Sequence, residues 1–179
     1  MSSLKLIHAS CLDTNGDVIV NAANRNLWAG GGICGAIFKK AGLNELQAEC
    51  NKHKTPLKDG QAVITSSCGI KNAKAIIHAV GPDFGRTPNA FQELFEAYYN
   101  SLILLMENGY HSISFPMISA GIFGGSLENP AGETTKQCVR AYQKFREDYP
   151  EYDVDVLLCA FLEEEMEAAE KMMDILGGV

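Results

Sequence analysis

Short apolar runs alternate along the chain with stretches in which apolar residues recur every three or four positions. The runs are typical of buried strands, and the wider spacing is typical of amphipathic helices. Strands are predicted at Leu4–His8, Asp17–Asn21, Gln61–Ser66, Ala75–Val80, Ser112–Phe115 and Val154–Phe161. Helices are predicted at Gly32–Lys40, at Asn44–His53, from Pro88 to about Asn108, from Asn129 to about Arg146, and at Glu163–Leu176.

The third predicted helix carries the most complete set of local signals. Thr87 suits the N-cap, Pro88 suits the first helical position, and Asn108-Gly109 suits the C-terminal stop. Its apolar residues form one stripe that is predicted to face the core: Phe91, Leu94, Phe95, Tyr98, Leu102 and Leu105.

The order of these elements predicts the fold class. Strands that alternate with helices, several of them apolar almost throughout, are typical of an α/β fold with helices on both faces of the sheet. The chain has 179 residues, and no repeat or long linker divides it. Residues 1–179 are therefore predicted to form a single domain.

Composition and charge exclude several classes of function. The formal net charge of −7 disfavours nonspecific binding to the backbone of a nucleic acid. No apolar run approaches the ~20 residues of a membrane span, and the N-terminus is too polar for a signal peptide. We therefore expect a cytoplasmic protein without membrane or nucleic-acid partners, with a monomer as the default oligomeric state.

Cysteine and histidine positions give no metal signature. None of the six cysteines forms a C-x-x-C pair, and no His/Cys cluster has the spacing of metal ligands. Neither a metal nor another cofactor is expected, and the thiols are predicted to be reduced and mostly buried. His8 and His78 lie in apolar strands and are predicted to be hydrogen-bonded core residues.

Two glycine-bearing loops, each following an apolar strand, carry the strongest functional signal. The first contains Asn21-Ala-Ala-Asn24 and then Gly30-Gly-Gly-Ile-Cys-Gly35, and the second contains Ser119-Ala-Gly-Ile-Phe-Gly-Gly125. Glycine lets main-chain N–H groups approach an anion, and a helix start adds the positive end of its dipole. Two such loops facing each other suit the phosphates of a diphosphate, which indicates a nucleotide-like ligand.

The first loop also has the glycine spacing of a dinucleotide-binding turn, at Gly30, Gly32 and Gly35. On that interpretation the chain would be a nicotinamide-dependent oxidoreductase. Residues 21–29 separate the strand from these glycines, however, and the next stretch reads as helix, so no second strand presents a ribose-binding acid. Asn24 comes just past a buried strand, where its amide suits either a ribose diol or a turn.

Together these motifs resemble those of macro domains. The resemblance rests on the segments 18–24, 30–37, 78–82 and 115–124, which occur in the family's order and extend over nearly the whole chain. It implies a three-layer α/β/α fold with a mixed central sheet of about six strands and an ADP-ribose cleft at the strand ends. It also implies ADP-ribose binding, and many members hydrolyse O-acetyl-ADP-ribose or mono-ADP-ribosyl esters on proteins.

The resemblance implies roles for individual residues. Asn24 corresponds to the Asn that holds the distal ribose, and it is the candidate catalytic residue. Phe123 corresponds to a residue beside that ribose, and Phe161 to an aromatic that stacks on adenine; burial in the core is the alternative for Phe161. The implied ADP-ribose-binding set is Ser10, Cys11, Asn24, Gly31, Gly32, Ile33, Cys34, Ser119, Ala120, Gly121, Ile122, Phe123 and Phe161.

Two positions depart from the family's pattern. Ser10 stands where much of the family has an Asp that accepts the adenine amino hydrogens, so relaxed adenine selectivity is expected. Cys34 stands where hydrolytic members often have an Asp that orients or deprotonates the attacking water. A neutral thiol is a poor general base. The resemblance offers another route, in which the ligand's own phosphate activates the water and the loops act mainly by positioning.

Two functions of different classes remain open at this point. The main hypothesis is a hydrolase acting on O-acetyl-ADP-ribose or on mono-ADP-ribosyl esters of proteins. The alternative is a reader module that binds ADP-ribose without chemistry, which the small size and Cys34 favour. In both cases the partners are ADP-ribose, its derivatives and ADP-ribosylated proteins.

Overall fold

The computed structural model describes residues 1–178, which build a central sheet flanked by helices. The strands are β1 (Ser3–His8), β2 (Val18–Ala23), β3 (Ala62–Ser66), β4 (Ala75–Val80), β5 (Ser112–Pro116) and β6 (Asp155–Ala160). The helices are α1 (Gly32–Ala41), α2 (Leu43–Cys50), α3 (Phe91–Glu107), α4 (Pro130–Asp148) and α5 (Glu163–Ile175). The sheet order is β1-β6-β5-β2-β4-β3, and β3 alone runs antiparallel to its neighbour within the described residues.

Helices cover both faces of the sheet, which confirms the predicted α/β class. Successive strand residues point to opposite faces, so Ile19 of β2 packs on one side and Val20 on the other. The side of Ile19 packs against α1 and α2, with Phe38 and Leu46 buried there. The side of Val20 packs against α3, α4 and α5, and its large buried side chains include Tyr98, Phe84, Phe115, Tyr142 and Phe145.

The layer formed by α1 and α2 covers only half of its face. In the sheet register Ile19 lies beside Ser114, Ser114 beside Leu157, and Leu157 beside Lys5, so this row of side chains shares one face. Lys5 is exposed and Leu157 is only half-buried, and both line a groove of about 310 Å³. At the amino ends of β5, β6 and β1 this face of the sheet therefore borders a solvated groove, whereas Ser114 and Cys159 on the same face are buried.

The start of α3 differs from the prediction. The helix begins at Phe91 rather than Pro88, and the residue before it provides no side-chain cap. The Thr87 N–H donates to the Asp83 carbonyl at 2.9 Å, which holds Thr87 in a turn instead of at an N-cap. The Phe84 N–H donates at 2.8 Å to the loop after β5, so a tertiary contact overrides the local capping signal.

His78 is a buried, hydrogen-bonded residue of β4, as predicted. Asn21 Nδ2 lies 3.0 Å from His78 Nδ1, and Thr65 Oγ1 lies 3.0 Å from His78 Nε2. Thr65 donates to the Ser66 carbonyl at 3.0 Å, so the network fits a neutral imidazole with its proton on Nε2. The predicted burial of His8 is wrong, because the edge strand β1 leaves that side chain exposed, but its predicted hydrogen bonding is confirmed: His8 Nε2 lies 3.1 Å from the Phe161 carbonyl oxygen.

Burial makes His78 a source of acid sensitivity. Desolvation, with a smaller contribution from His53, lowers the pKa of His78 to about 3, whereas the unfolded chain takes up that proton near pH 6.5. The unfolded state therefore binds more protons as the pH falls from 6.5 to 3, and the free energy of unfolding should fall by at most roughly 1.4 kcal/mol per pH unit. Urea unfolding of the wild type and of His78→Gln at several pH values measures this slope, which should be smaller in the variant.

An NMR titration of the folded protein provides a second measurement that needs no variant. The His78 imidazole should stay neutral to well below pH 5. If its ring titrates near pH 6.5 in the folded state, the buried-network account of acid sensitivity is wrong.

Five of the six cysteines are buried and Cys68 is half-buried, and within residues 1–178 none forms a disulfide. Their predicted burial is confirmed for all but Cys68. Over the same residues no helix combines the length and apolar character needed to cross a bilayer. No three His, Cys, Asp or Glu side chains of this part of the chain are grouped so that they could hold a metal ion.

Candidate functional site

A crevice is expected between β2 and β5, because the chain leaves these two strands on opposite faces of the sheet. These strands are parallel neighbours, but β2 leads into α1 on one face and β5 leads into α4 on the opposite face. In open α/β sheets such a switch of faces leaves a crevice at the carboxyl ends of the strands. Both glycine-bearing loops begin at this edge.

The first loop, residues 24–31, is held by the side chain of Asn24. Its Oδ1 accepts from the Trp28 N–H at 3.0 Å, and its Nδ2 donates to the Trp28 carbonyl at 2.8 Å. This contact supports the turn-forming interpretation of Asn24. It also leaves the second amide hydrogen and a lone pair free, so a role in ligand binding is compatible with it.

The start of α1 packs directly on this loop. A Cβ at Gly35 would lie 2.5 Å from the Gly30 carbonyl oxygen, so the close approach requires glycine at position 35. Gly31 is the N-cap and has no side chain to bind the first N–H groups of the helix. Those N–H groups have no partner inside the helix, and together with the helix dipole they favour an anion.

The second loop, residues 117–125, is tied to the segment after β4. Ser119 has a left-handed backbone (φ +61°), is 7% exposed, and donates from Oγ to the Pro82 carbonyl at 2.7 Å. A Cβ at Gly81 would lie 2.4 Å from Ser119 Oγ, so the two segments touch where position 81 has no side chain. The Ser119 hydroxyl is thus engaged inside the protein, and only its main chain is available to a ligand.

Two glycines of the facing loops point into open space. A Cβ at Gly31 or Gly121 would meet nothing within 4 Å. Gly31 has an extended backbone (φ −92°, ψ −176°) that any residue can adopt. Neither packing nor backbone conformation explains glycine at position 31, whereas a ligand that approaches the main chain does explain it.

Cys34 lies in the first turn of α1 as a neutral thiol. It is 5% exposed, and its Sγ lies 3.6 Å from the Trp28 carbonyl oxygen, the same oxygen that Asn24 contacts. Burial raises the pKa of Cys34 above its usual value, although contacts with Gly30 and Asn21 act in the opposite direction. A thiolate general base or nucleophile is therefore disfavoured at neutral pH.

The remaining predicted site residues lie at the same edge of the sheet. Ser10 follows β1, and its Oγ accepts from the Leu12 N–H at 3.2 Å, whereas the neighbouring Cys11 is only 1% exposed and can offer little but its main chain. Phe161 follows β6 and is 68% exposed, so the core interpretation of that residue is wrong. Its ring is accessible, as stacking on a base requires.

Sequence reasoning missed Gln47, which supports the first loop from α2. Its Oε1 accepts from the Ala29 N–H at 3.1 Å, and its Nε2 donates to the Leu27 carbonyl at 3.0 Å. No local signal marks this role, because Gln47 is separated from the loop by the whole of α1. It also missed Trp28. This residue is the only tryptophan in the chain, and it is 62% exposed.

Neither Arg25, in the first loop, nor a charged groove at the far end of α1 adds much positive potential to the cleft. Arg25 beside Asn24 is paired through two hydrogen bonds, of 3.0 and 2.9 Å, with Asp59. A groove of about 620 Å³ is lined by Lys39, Lys40, Glu45 and Glu49, but it lies at the opposite end of α1 from the loops. Main-chain N–H groups are therefore the main candidates for binding an anion between the two loops.

Comparisons with known proteins identify the family. The sequence profile of the macro domain family matches residues 20–132. The chain belongs to the macro domain family. The O-acetyl-ADP-ribose deacetylase of Citrobacter rodentium is 44% identical over 126 residues, which cover 69% of this chain and 71% of that protein.

Solved structures agree with this assignment. A macrodomain of Oceanobacillus iheyensis with ADP is 30% identical, has a TM-score of 0.85, and aligns over 98% of this chain and 92% of its own. A Trypanosoma brucei macrodomain in complex with ADP-ribose is 31% identical with a TM-score of 0.80, over 94% of this chain and 68% of its own. The macro-domain fold with a mixed central sheet is thereby confirmed, and the glycines at 30, 32 and 35 belong to a macro-domain loop rather than to a dinucleotide-binding turn.

Proposed function

We propose that this macro domain binds ADP-ribose in the cleft between its two glycine-bearing loops and hydrolyses O-acetyl-ADP-ribose. The observation that carries the proposal is the open space beside Gly31 and Gly121 on facing loops. Relatives named O-acetyl-ADP-ribose deacetylase and neighbours solved with ADP or ADP-ribose support it. The proposal takes residues 1–179 as one domain, acting in the cytoplasm as a monomer.

Each end of the ligand has a proposed contact. Main-chain N–H groups of Gly32, Ile33 and Cys34 at the start of α1 hold one phosphate, and those of the loop at Ala120–Phe123 hold the other. Adenine stacks on Phe161, near Ser10. The distal ribose lies against Asn24 and Phe123, which brings its acyl group to the Cys34 end of the cleft.

The chemistry is ester hydrolysis. Water attacks the acyl carbonyl carbon, the bond between that carbon and the ribose oxygen breaks, and the ribose oxygen takes up a proton. The products are ADP-ribose and a carboxylate with release of one proton. A phosphate oxygen of the ligand accepts the proton from the water, because Cys34 is neutral, and the protein contributes mainly by positioning the reactants.

Cys34→Ala tests this division of roles. Because the thiol supplies neither base nor nucleophile, kcat should stay within about threefold of wild type, and the pH profile should keep its shape. Steady-state turnover of O-acetyl-ADP-ribose between pH 6 and 9 measures both, with Cys68→Ala as a control on a thiol outside the cleft. A loss of about 100-fold in kcat in Cys34→Ala, but not in Cys68→Ala, would mean that the Cys34 thiol takes part in the reaction.

A reader module that binds ADP-ribose without turnover is the second candidate, and the neutral Cys34 favours it. Calorimetric titration with ADP-ribose, AMP and NAD tests binding, and incubation with O-acetyl-ADP-ribose or an ester-linked ADP-ribosylated protein tests turnover. Tight binding of ADP-ribose without turnover would support the reader module and rule out the hydrolase. Failure to bind ADP-ribose would overturn both candidates.

A further inference from the structure

The only tryptophan of the chain lies on a rigid part of the first loop. The Leu27 N–H donates to the Asn24 carbonyl at 3.1 Å, and the Leu27 carbonyl accepts from Gln47. The Trp28 N–H and carbonyl both bind the Asn24 side chain, and the Ala29 N–H donates to Gln47. The main chain around the indole is thus fixed by five hydrogen bonds.

The backbone of this segment turns Trp28 outward. Leu27 has a left-handed backbone (φ +57°), a conformation that is unfavourable for a residue with a Cβ. In this geometry Leu27 is 2% exposed while Trp28 is 62% exposed. The strain is maintained by the hydrogen bonds around it, and its result is an aromatic ring held in solvent.

The exposed ring belongs to an apolar rim at the ligand edge of the sheet. Five of the nine large hydrophobic side chains exposed in residues 1–178 follow β2, β5 or β6: Trp28, Ile122, Phe123, Phe161 and Leu162. Phe123 and Phe161 have proposed ligand contacts. The side chains of Trp28 and Ile122 have none so far: only the main chain of Ile122 has a proposed phosphate contact, and its side chain is 95% exposed on the facing loop.

The main-chain carbonyl of Trp28 lies at the proposed ribose end of the cleft. Its oxygen is contacted by both Asn24, at 2.8 Å, and Cys34, at 3.6 Å. These are the side chains proposed to lie at the distal ribose and at its acyl group. A group carried by that ribose therefore leaves the cleft beside Trp28, next to a neutral thiol instead of a carboxylate.

We propose, on the basis of the function proposed above, that Trp28 and Ile122 form an apolar acyl collar, and that the preferred substrates are O-acyl-ADP-ribose esters with acyl chains longer than acetyl. A methylene group buried against apolar side chains favours binding by about threefold to fourfold. The two extra methylenes of a butyryl group should therefore raise kcat/KM about tenfold over acetyl.

The size of the acyl collar favours an acyl chain over a protein surface. A stable protein interface buries about 800 Å² on each partner, far more than two side chains provide. A short alkyl chain, in contrast, needs only a small apolar contact and no partner for charged groups. The ester chemistry is the same for every acyl length, so no further reactant is required.

The first experiment compares O-acetyl-, O-propionyl- and O-butyryl-ADP-ribose as substrates. In the wild type kcat/KM should rise along the series, and in Trp28→Ala the rise should disappear while the affinity for ADP-ribose is unchanged. Leu43→Ala is the matched control, because Leu43 is also an exposed apolar residue (54%) but lies at the start of α2. A flat series in the wild type, or an unaltered preference in Trp28→Ala, would overturn the proposal.

The second experiment uses Trp28 itself as the reporter. Because the chain has no other tryptophan, fluorescence excited at the red edge of the protein absorption, where its six tyrosines absorb little, reports on this ring alone. A butyramide analogue of the ester, which resists hydrolysis, should shift the emission to shorter wavelength, whereas ADP-ribose should shift it little. No difference between the two ligands would contradict the acyl collar.

The two experiments separate the acyl collar from the proposed hydrolase. If no ester is hydrolysed but the butyramide analogue alone shifts the fluorescence, the hydrolase proposal and the substrate preference both fail, and only acyl binding at Trp28 is supported. If every ester is hydrolysed at the same rate, the hydrolase stands and the acyl collar fails. If Trp28→Ala instead lowers turnover only on an ADP-ribosylated protein, the ring recognises protein and the acyl assignment is wrong.

Discussion

Gly31→Val should lower the affinity for ADP-ribose about 100-fold or more. The position opens into the cleft with nothing within 4 Å, and its extended backbone accepts a β-branched residue. A valine there would occupy the space through which a phosphate reaches the main chain. Isothermal titration with ADP-ribose measures the effect, and Gly121→Val on the facing loop should behave in the same way.

The control for this prediction is Gly109→Val at the end of α3. Its Cβ would also meet nothing within 4 Å, but it lies at the opposite edge of the sheet, and its φ of +73° makes valine unfavourable. It should lower thermal stability without changing affinity. Gly32 is a poorer test because its φ of +58° would strain any substitution. Unchanged ADP-ribose affinity in both Gly31→Val and Gly121→Val would mean that the diphosphate does not bind at these loops.

Asn24→Ala should lower kcat for O-acetyl-ADP-ribose about 100-fold while weakening ADP-ribose binding less than tenfold. The substitution removes the amide proposed to position the distal ribose and frees the main chain of Trp28 from both of its hydrogen bonds. The proposed phosphate and adenine contacts do not involve Asn24, so most of the binding free energy should be retained. Single-turnover kinetics and calorimetry measure the two effects separately.

Asn26→Ala is the matched control for Asn24→Ala. Asn26 lies in the same loop, and its side chain makes no hydrogen bond to the residues that the structure describes. It should change neither kcat nor affinity by more than about twofold. Equal losses of turnover and binding in Asn24→Ala would mean that Asn24 only holds the ligand.

The strands and the fold class could be predicted because their signals are local. An apolar run such as Ala75–Val80 indicates a buried strand wherever it occurs, and β4 has these bounds in the structure. The start of α3 could not be predicted in the same way. Thr87 and Pro88 have good local propensity, but the hydrogen bond from Phe84 to the loop after β5 depends on a contact distant in sequence.

The sequence predicts the candidate site at the level of its loops rather than its side chains. The glycine motifs lie in two loops at the carboxyl edge of the sheet, and Asn24 and Phe161 lie at the same edge, while their contacts with a ligand stay predictions. The sequence cannot indicate that the Ser119 hydroxyl turns away to Pro82, or that Gln47 supports the first loop, since both depend on packing between separate segments. Nor can it distinguish Gly35, which packing requires, from Gly31, which packing does not.

The half-covered sheet gives its strands different local stabilities at their amino ends. β2 and β4 are packed on both faces, whereas β5, β6 and β1 border a solvated groove where they begin. Segments with fewer buried apolar contacts open at a lower free-energy cost than the fully packed core. The first residues of β5, β6 and β1 should therefore exchange their amide hydrogens faster than β2 and β4, and this easily opened part of the sheet lies at the end away from the cleft.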